Sequence, residues 1–152
     1  MQPIISSMGI ALFIVAAYGD VRSLRIPNLL VAAVALLGVA RLIVIGDQSI
    51  ALYTVTASFA VLVIGFVLFW QGFVGGGDAK LIAAAALLIG YNDLLPFLVF
   101  MSVCGASISL AAVASRRQKQ TSKLYIPYGV AIATAGSVTL LFQSTFATSF
   151  IG

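Results

Sequence analysis

Six apolar runs, each near the length of a bilayer-spanning helix, follow one another with only short polar breaks between them. They cover about residues 3–19, 28–45, 50–71, 74–91, 94–114 and 126–147. A membrane-crossing helix needs about 20 mostly apolar residues. The pattern therefore predicts an all-α fold: a polytopic membrane helical bundle of about six transmembrane helices, forming one domain over residues 1–152. Composition agrees, because 62% of the residues are hydrophobic and 8% are charged, whereas a soluble domain carries about 25% charged residues. The fourth run is the least secure, since its strongly apolar part, 81–90, is short. It spans only where the glycine-rich stretch before it also enters the membrane or the local bilayer is thin.

The breaks read "DVRSLRIPN", "GDQS", "QGFVGGGDAK", "YND" and "SRRQKQTSKLYIP". Alternating crossings put Arg22, Arg25, Lys80, Arg116, Arg117, Lys119 and Lys123 on one side and leave Arg41 near the other. Basic residues in short loops mark the cytoplasmic side. The expected placement is a multi-pass protein of the inner (cytoplasmic) membrane with both termini outside. The net charge of +4 is thereby read as topology and as attraction to lipid headgroups, not as a nucleic-acid surface. The N-terminus has no basic residue before its apolar core and no evident A-x-A cleavage site, so it reads as a retained span. Cys104 is the single cysteine and lies in an apolar run, and histidine is absent, so no Cys/His metal site and no internal disulfide is expected. No cofactor is expected either.

Four acids are present. Asp47 and Asp93 stand in short outer loops and read as turn residues. Asp20 closes the first span and Asp78 opens the fourth. Two crossings separate them, so they return to the same face, at the cytoplasmic boundary. Each has a structural reading. Asp78 suits a helix N-terminus, and Asp20 could pair with Arg22 or Arg25. Ionisable residues at spanning segments are nevertheless functional candidates. Two carboxylates held close cannot both ionise cheaply, so one keeps a proton. The ionised member can take a proton from water, and the protonated one can polarise a peptide carbonyl and assist the leaving amine. With no histidine, and with the one cysteine in an apolar run, the Ser-His and Cys-His routes fall away. Gly75, Gly76 and Gly77, immediately before Asp78, are expected to form a loop that takes positive φ and lets an extended peptide approach.

These residues resemble a known family. "GGGDAKLIAAAALLIG" resembles the G-x-G-D-x-K-L segment of the type IV prepilin peptidases, the GxGD membrane aspartic proteases, with Gly75, Gly77, Asp78, Lys80 and Leu81 matching. "DVRSLRIPN" is similar to the region of the first catalytic aspartate, and "IPYGVAIATAG" to the segment that opens the last span. In that last segment Val130 stands where many relatives have a second proline. The resemblance implies a membrane aspartic endopeptidase that removes the leader of prepilin-like substrates, with Asp20 and Asp78 as the catalytic pair. The implied substrate has a basic leader and a hydrophobic helix. Gly75, Gly76, Gly77, Lys80, Pro127, Tyr128 and Gly129 are the implied substrate-binding or loop residues. The other implied partner is membrane lipid, and a homo-oligomer is compatible with the reading. Long members carry a cytoplasmic domain with a cysteine cluster and also methylate the new N-terminus. This chain has no such cluster. It resembles the short peptidases of Flp/Tad pilus systems, and methyltransferase activity is not expected. The competing reading is a cation- or proton-coupled transporter subunit. It calls for acids along a path through the bilayer, whereas both acids are expected at one face.

Overall fold

The computed structural model describes residues 2–23, 26–116 and 128–149. Among them the chain forms six α-helices and one short 3₁₀ turn, with no strand. The helices are α1 (Gln2–Ser23), α2 (Asn28–Ile45), α3 (Gln48–Trp70), α4 (Gly76–Ile89), α5 (Leu94–Arg116) and α6 (Tyr128–Ser149). The turn, Tyr91–Asp93, joins α4 to α5. Among the described residues, four segments are long and apolar enough to cross a membrane: Ile4–Arg22, Asn28–Ile45, Gln48–Trp70 and Tyr91–Ala111. Large apolar side chains, among them Leu29, Ile43, Phe59, Trp70, Leu95 and Leu110, point outward. A bilayer is the solvent that suits such an exterior, since a contiguous apolar surface of this kind is rare on soluble monomers.

The helix starts follow local chemistry. Pro27 precedes α2 in an extended conformation, and its carbonyl accepts from the Leu30 and Val31 N–H groups. Asp47 caps α3, accepting from the N–H groups of Ser49 at 2.8 Å and Ile50 at 3.2 Å. That is the structural role expected for it, in a specific form. Pro127, Arg25, Arg117, Lys119 and Lys123 lie outside the described residues.

α4 forms the centre. It packs against α2, α3 and α6, while α1 packs on α2 and α6, and α5 on α6. Its buried face carries Leu81, Leu88 and Ile89 together with four consecutive alanines, 83–86. Small residues let helix backbones approach. Where α2 crosses, a Cβ on Gly38 would stand 3.0 Å from backbone atoms of Leu87 and Leu88.

The fourth run, expected over 74–91 and the least secure of the six, holds the short helix α4. α4 has fourteen residues. At about 1.5 Å each they rise about 21 Å, short of the about 30 Å hydrocarbon core. Gly90 stops the helix at φ +93, and Tyr91–Asp93 turns away in 3₁₀ geometry. The short helix lies inside the other helices and is tied down by polar groups at its C-terminal end. Gln143 of α6 donates its Nε2–H to the Ile89 carbonyl at 2.8 Å and to Asp93 at 2.6 Å. Asp93 is thus a tertiary anchor as well as a turn residue. The Arg41 guanidinium lies against Gly90, where an added Cβ would meet its Nη1 at 2.6 Å. Gly90→Ala forces both a positive φ on a side-chain residue and this overlap. It is expected to cost about 1–3 kcal/mol, read as a lower melting temperature in detergent.

Candidate active site

The end of the bundle opposite that anchor holds the other two acids. Asp20 occupies the last turns of α1 and is 5% exposed. The Gly129 N–H, in the first turn of α6, donates to Asp20 Oδ2 at 2.8 Å, and the Val130 N–H donates to the same carboxylate. The first N–H groups of a helix have no intrahelical acceptor. An acid from α1 supplies one for α6, at the positive end of the helix dipole. The expected partner Arg22 turns elsewhere, donating to the Tyr18 hydroxyl at 3.0 Å. Gly129 makes this contact sterically feasible. A Cβ there would stand 2.8 Å from Asp20 Cγ and Oδ2, inside the distance real carbon atoms tolerate.

Asp78 repeats the device within one helix. It lies in the first turn of α4, outside the four spanning segments, and accepts from the N–H of Gly75, the residue that caps the helix. An acid at the third helical position reaching back to the cap is half of a capping box. A Cβ on Gly75 would fall 2.8 Å from Asp78 Oδ2. Each candidate acid is therefore seated on a glycine at a helix N-terminus, and in each case the glycine leaves the room its carboxylate occupies.

The two acids are coupled electrostatically. Burial pushes the Asp78 carboxyl up to about 6, and the charge of Asp20 adds to the effect while the Gly75 N–H opposes it. A carboxyl in that range exchanges a proton near neutral pH, the property required of a general acid or base. Asp78 also opens onto a cleft of about 290 Å³ between α4, α5 and α6, with Ser102, Gly105 and Ser109 on one wall and Tyr128 and Ile132 on another. Chemically this is a proton-exchanging carboxyl facing a cleft, with a second carboxylate near enough to act on it. Among the described residues there is no cluster of His, Cys, Asp or Glu suited to a metal ion.

The remaining sequence candidates divide. Tyr128 lines the cleft and Gly129 holds Asp20. Gly76 and Gly77 form the first turn of α4 and do not belong to a loop. Neither they nor Gly75 takes positive φ, which occurs instead at Gly72. That expectation is corrected: glycine permits positive φ, but the helix begins early because Asp78 and Gly75 close its first turn. A Cβ on Gly76 would meet the Phe69 ring at 3.2 Å, and one on Gly77 would meet Ile26 at 3.5 Å. Lys80 is exposed and faces a separate apolar groove between α3 and α4, beside Val63, Phe66 and Phe69. It is not on the cleft that Asp78 faces. The α5 wall was missed in the sequence reading. Ser102, Gly105, Ala106 and Ser109 recur at i, i+3, i+4 and i+7, a one-face helical spacing that could have flagged it.

Residues 7–110 match the model of the type IV leader peptidase family. A prepilin leader peptidase/N-methyltransferase of Bacillus subtilis (strain 168) is 31% identical over 144 residues, covering 93% of this chain and 57% of that protein. One from Burkholderia pseudomallei (strain K96243) is 33% identical over 73 residues, 48% of this chain and 23% of that protein. The chain thus spans little more than half the length of the first of these curated relatives. No solved structure matches.

Proposed function

The chain belongs to the type IV leader peptidase family, and on that premise we propose that it is a membrane aspartic endopeptidase that cleaves the leader from prepilin-like substrates. Asp20 and Asp78 are its catalytic pair. The observation that carries the reading is the seating of these two acids at one end of the bundle, with the charge of Asp20 acting on an Asp78 carboxyl that faces a cleft. Asp78 is the member that keeps the proton and gives it to the scissile carbonyl. Asp20 accepts the proton of the attacking water. No covalent intermediate forms, and the charge on Asp20 influences where Asp78 titrates. The basic residues at this end, with Arg22 near the end of α1 and Lys80 near the start of α4 among them, support a cytoplasmic position for the site. The substrate is a Flp-type prepilin with a basic leader followed by a hydrophobic helix. The proposal covers the peptidase activity alone.

The test is co-expression with a candidate prepilin and a mass measurement of the product. Loss of the leader supports the reading, and the same mass reports any methylation of the new N-terminus. An intact prepilin in every pairing overturns it. With purified enzyme, the pH profile gives a second check. Asp78 is protonated below about 6 and loses its proton as pH rises through that value. kcat/KM is therefore expected to fall with rising pH on a limb near 6. A profile flat through that region removes the Asp78 proton from the mechanism.

A further inference from the structure

Gly105 is buried in the interior of α5, on the wall of the cleft that Asp78 faces. Glycine in a helix interior costs about 1 kcal/mol relative to alanine. Such a cost is commonly explained by close packing, but packing does not explain it here. A Cβ on Gly105 would meet the Tyr128 ring at 3.8 Å and the Ala131 Cβ at 3.9 Å, both ordinary contact distances. The fold has room for a methyl group. What glycine supplies is the empty volume itself, next to a carboxyl.

The chemistry of the cleft narrows its occupant. Ser102 and Ser109 spend their hydroxyl protons on carbonyls of their own helix, Leu98 at 2.8 Å and Gly105 at 2.7 Å. Ile82, Ala131 and Ile132 add hydrocarbon on the facing walls. Asp78 is the charged group on the lining. The volume, about 290 Å³, lies just below the about 300–1,000 Å³ typical of ligand clefts. Such a space fits a short extended peptide stretch with small uncharged side chains, its backbone polar groups turned to Asp78.

We propose that Gly105 is a specificity-determining residue: it keeps the cleft open beside Asp78 and sets the size of the side chain accepted next to the scissile bond. The inference rests on the leader-peptidase reading and deepens it.

The experiment uses the full chain and substrates that differ only in the residue before the cut bond: glycine, alanine or valine. kcat/KM is measured for the wild type, Gly105→Ala and Ala106→Gly, the last removing a methyl group from the same wall. One methylene in an apolar pocket is worth about 10–200-fold in discrimination. Gly105→Ala is expected to lower the alanine-to-glycine ratio by about tenfold or more, with an unchanged or higher melting temperature. Ala106→Gly is expected to raise that ratio. If both ratios stay at the wild-type value, or if Gly105→Ala lowers all substrates by one factor, the specificity role is overturned while the peptidase reading stands. A wild type that cleaves none of the three overturns both.

Discussion

Asp78→Asn and Asp20→Asn are each expected to reduce leader removal by about 10²–10⁴-fold, the usual contribution of a positioned acid or base. The double variant should lose little more than either single one, because the two groups act as a unit. Asparagine keeps the size of the side chain and one acceptor oxygen. In Asp20→Asn that oxygen can still receive the Gly129 N–H, so the start of α6 remains satisfied. Asp20→Ala removes the acceptor and leaves the donors of a buried helix terminus without their partner, at about 1–3 kcal/mol. Activity should therefore be lost in both Asp20 variants, whereas the melting temperature in detergent should drop mainly in the alanine one. Near-normal processing by both asparagine variants would remove the pair from the chemistry.

Gly129→Ala should be almost as damaging, although it deletes no functional group. The new methyl would lie 2.8 Å from Asp20 Cγ and Oδ2 and 2.9 Å from its Cβ, so the carboxylate must leave its seat. Alanine is the better helix former by about 1 kcal/mol, so α6 should persist. A misplacement of about 1 Å can cost about 10²-fold in rate, and a loss of that order in kcat with little change in KM is expected. A second signature separates this from a general packing defect. The Asp20 charge helps hold the Asp78 carboxyl near 6. Moving that charge away should shift the limb of the pH profile to lower pH. A Gly129→Ala enzyme with wild-type kcat and an unmoved limb would show that the contact is incidental.

Much of the bundle was legible because bilayer partitioning is a local sum over a segment. Six runs predicted six helices, and all of them start and end within a few residues of expectation. Counting crossings was enough to put Asp20 and Asp78 at one end. α4 was the least legible of the six, because its apolar part is short and hydropathy alone says little about where such a helix begins and stops. Its ends are set by the Asp78 cap and by Gly90, and its shortness is tolerated because other helices surround it. Gly75, Gly76 and Gly77 were given a loop's conformation because composition states what glycine allows, not which conformer the chain selects. Lys80 follows Asp78 by two residues, which on a helix turns it toward a different groove.

By itself the sequence determined the number and order of the helices, the two acids at a common end and the family resemblance that their motifs carry. All of these follow from transfer energies, chain parity or short motifs, which are properties of adjacent residues. Only the tertiary structure decided that Asp20 is held by α6, through a hydrogen bond between residues 109 positions apart. It also decided that α5 walls the cleft in front of Asp78. Those contacts depend on how closely helices approach and at what rotation. That approach is set by the summed packing of many small side chains, which no local pattern encodes.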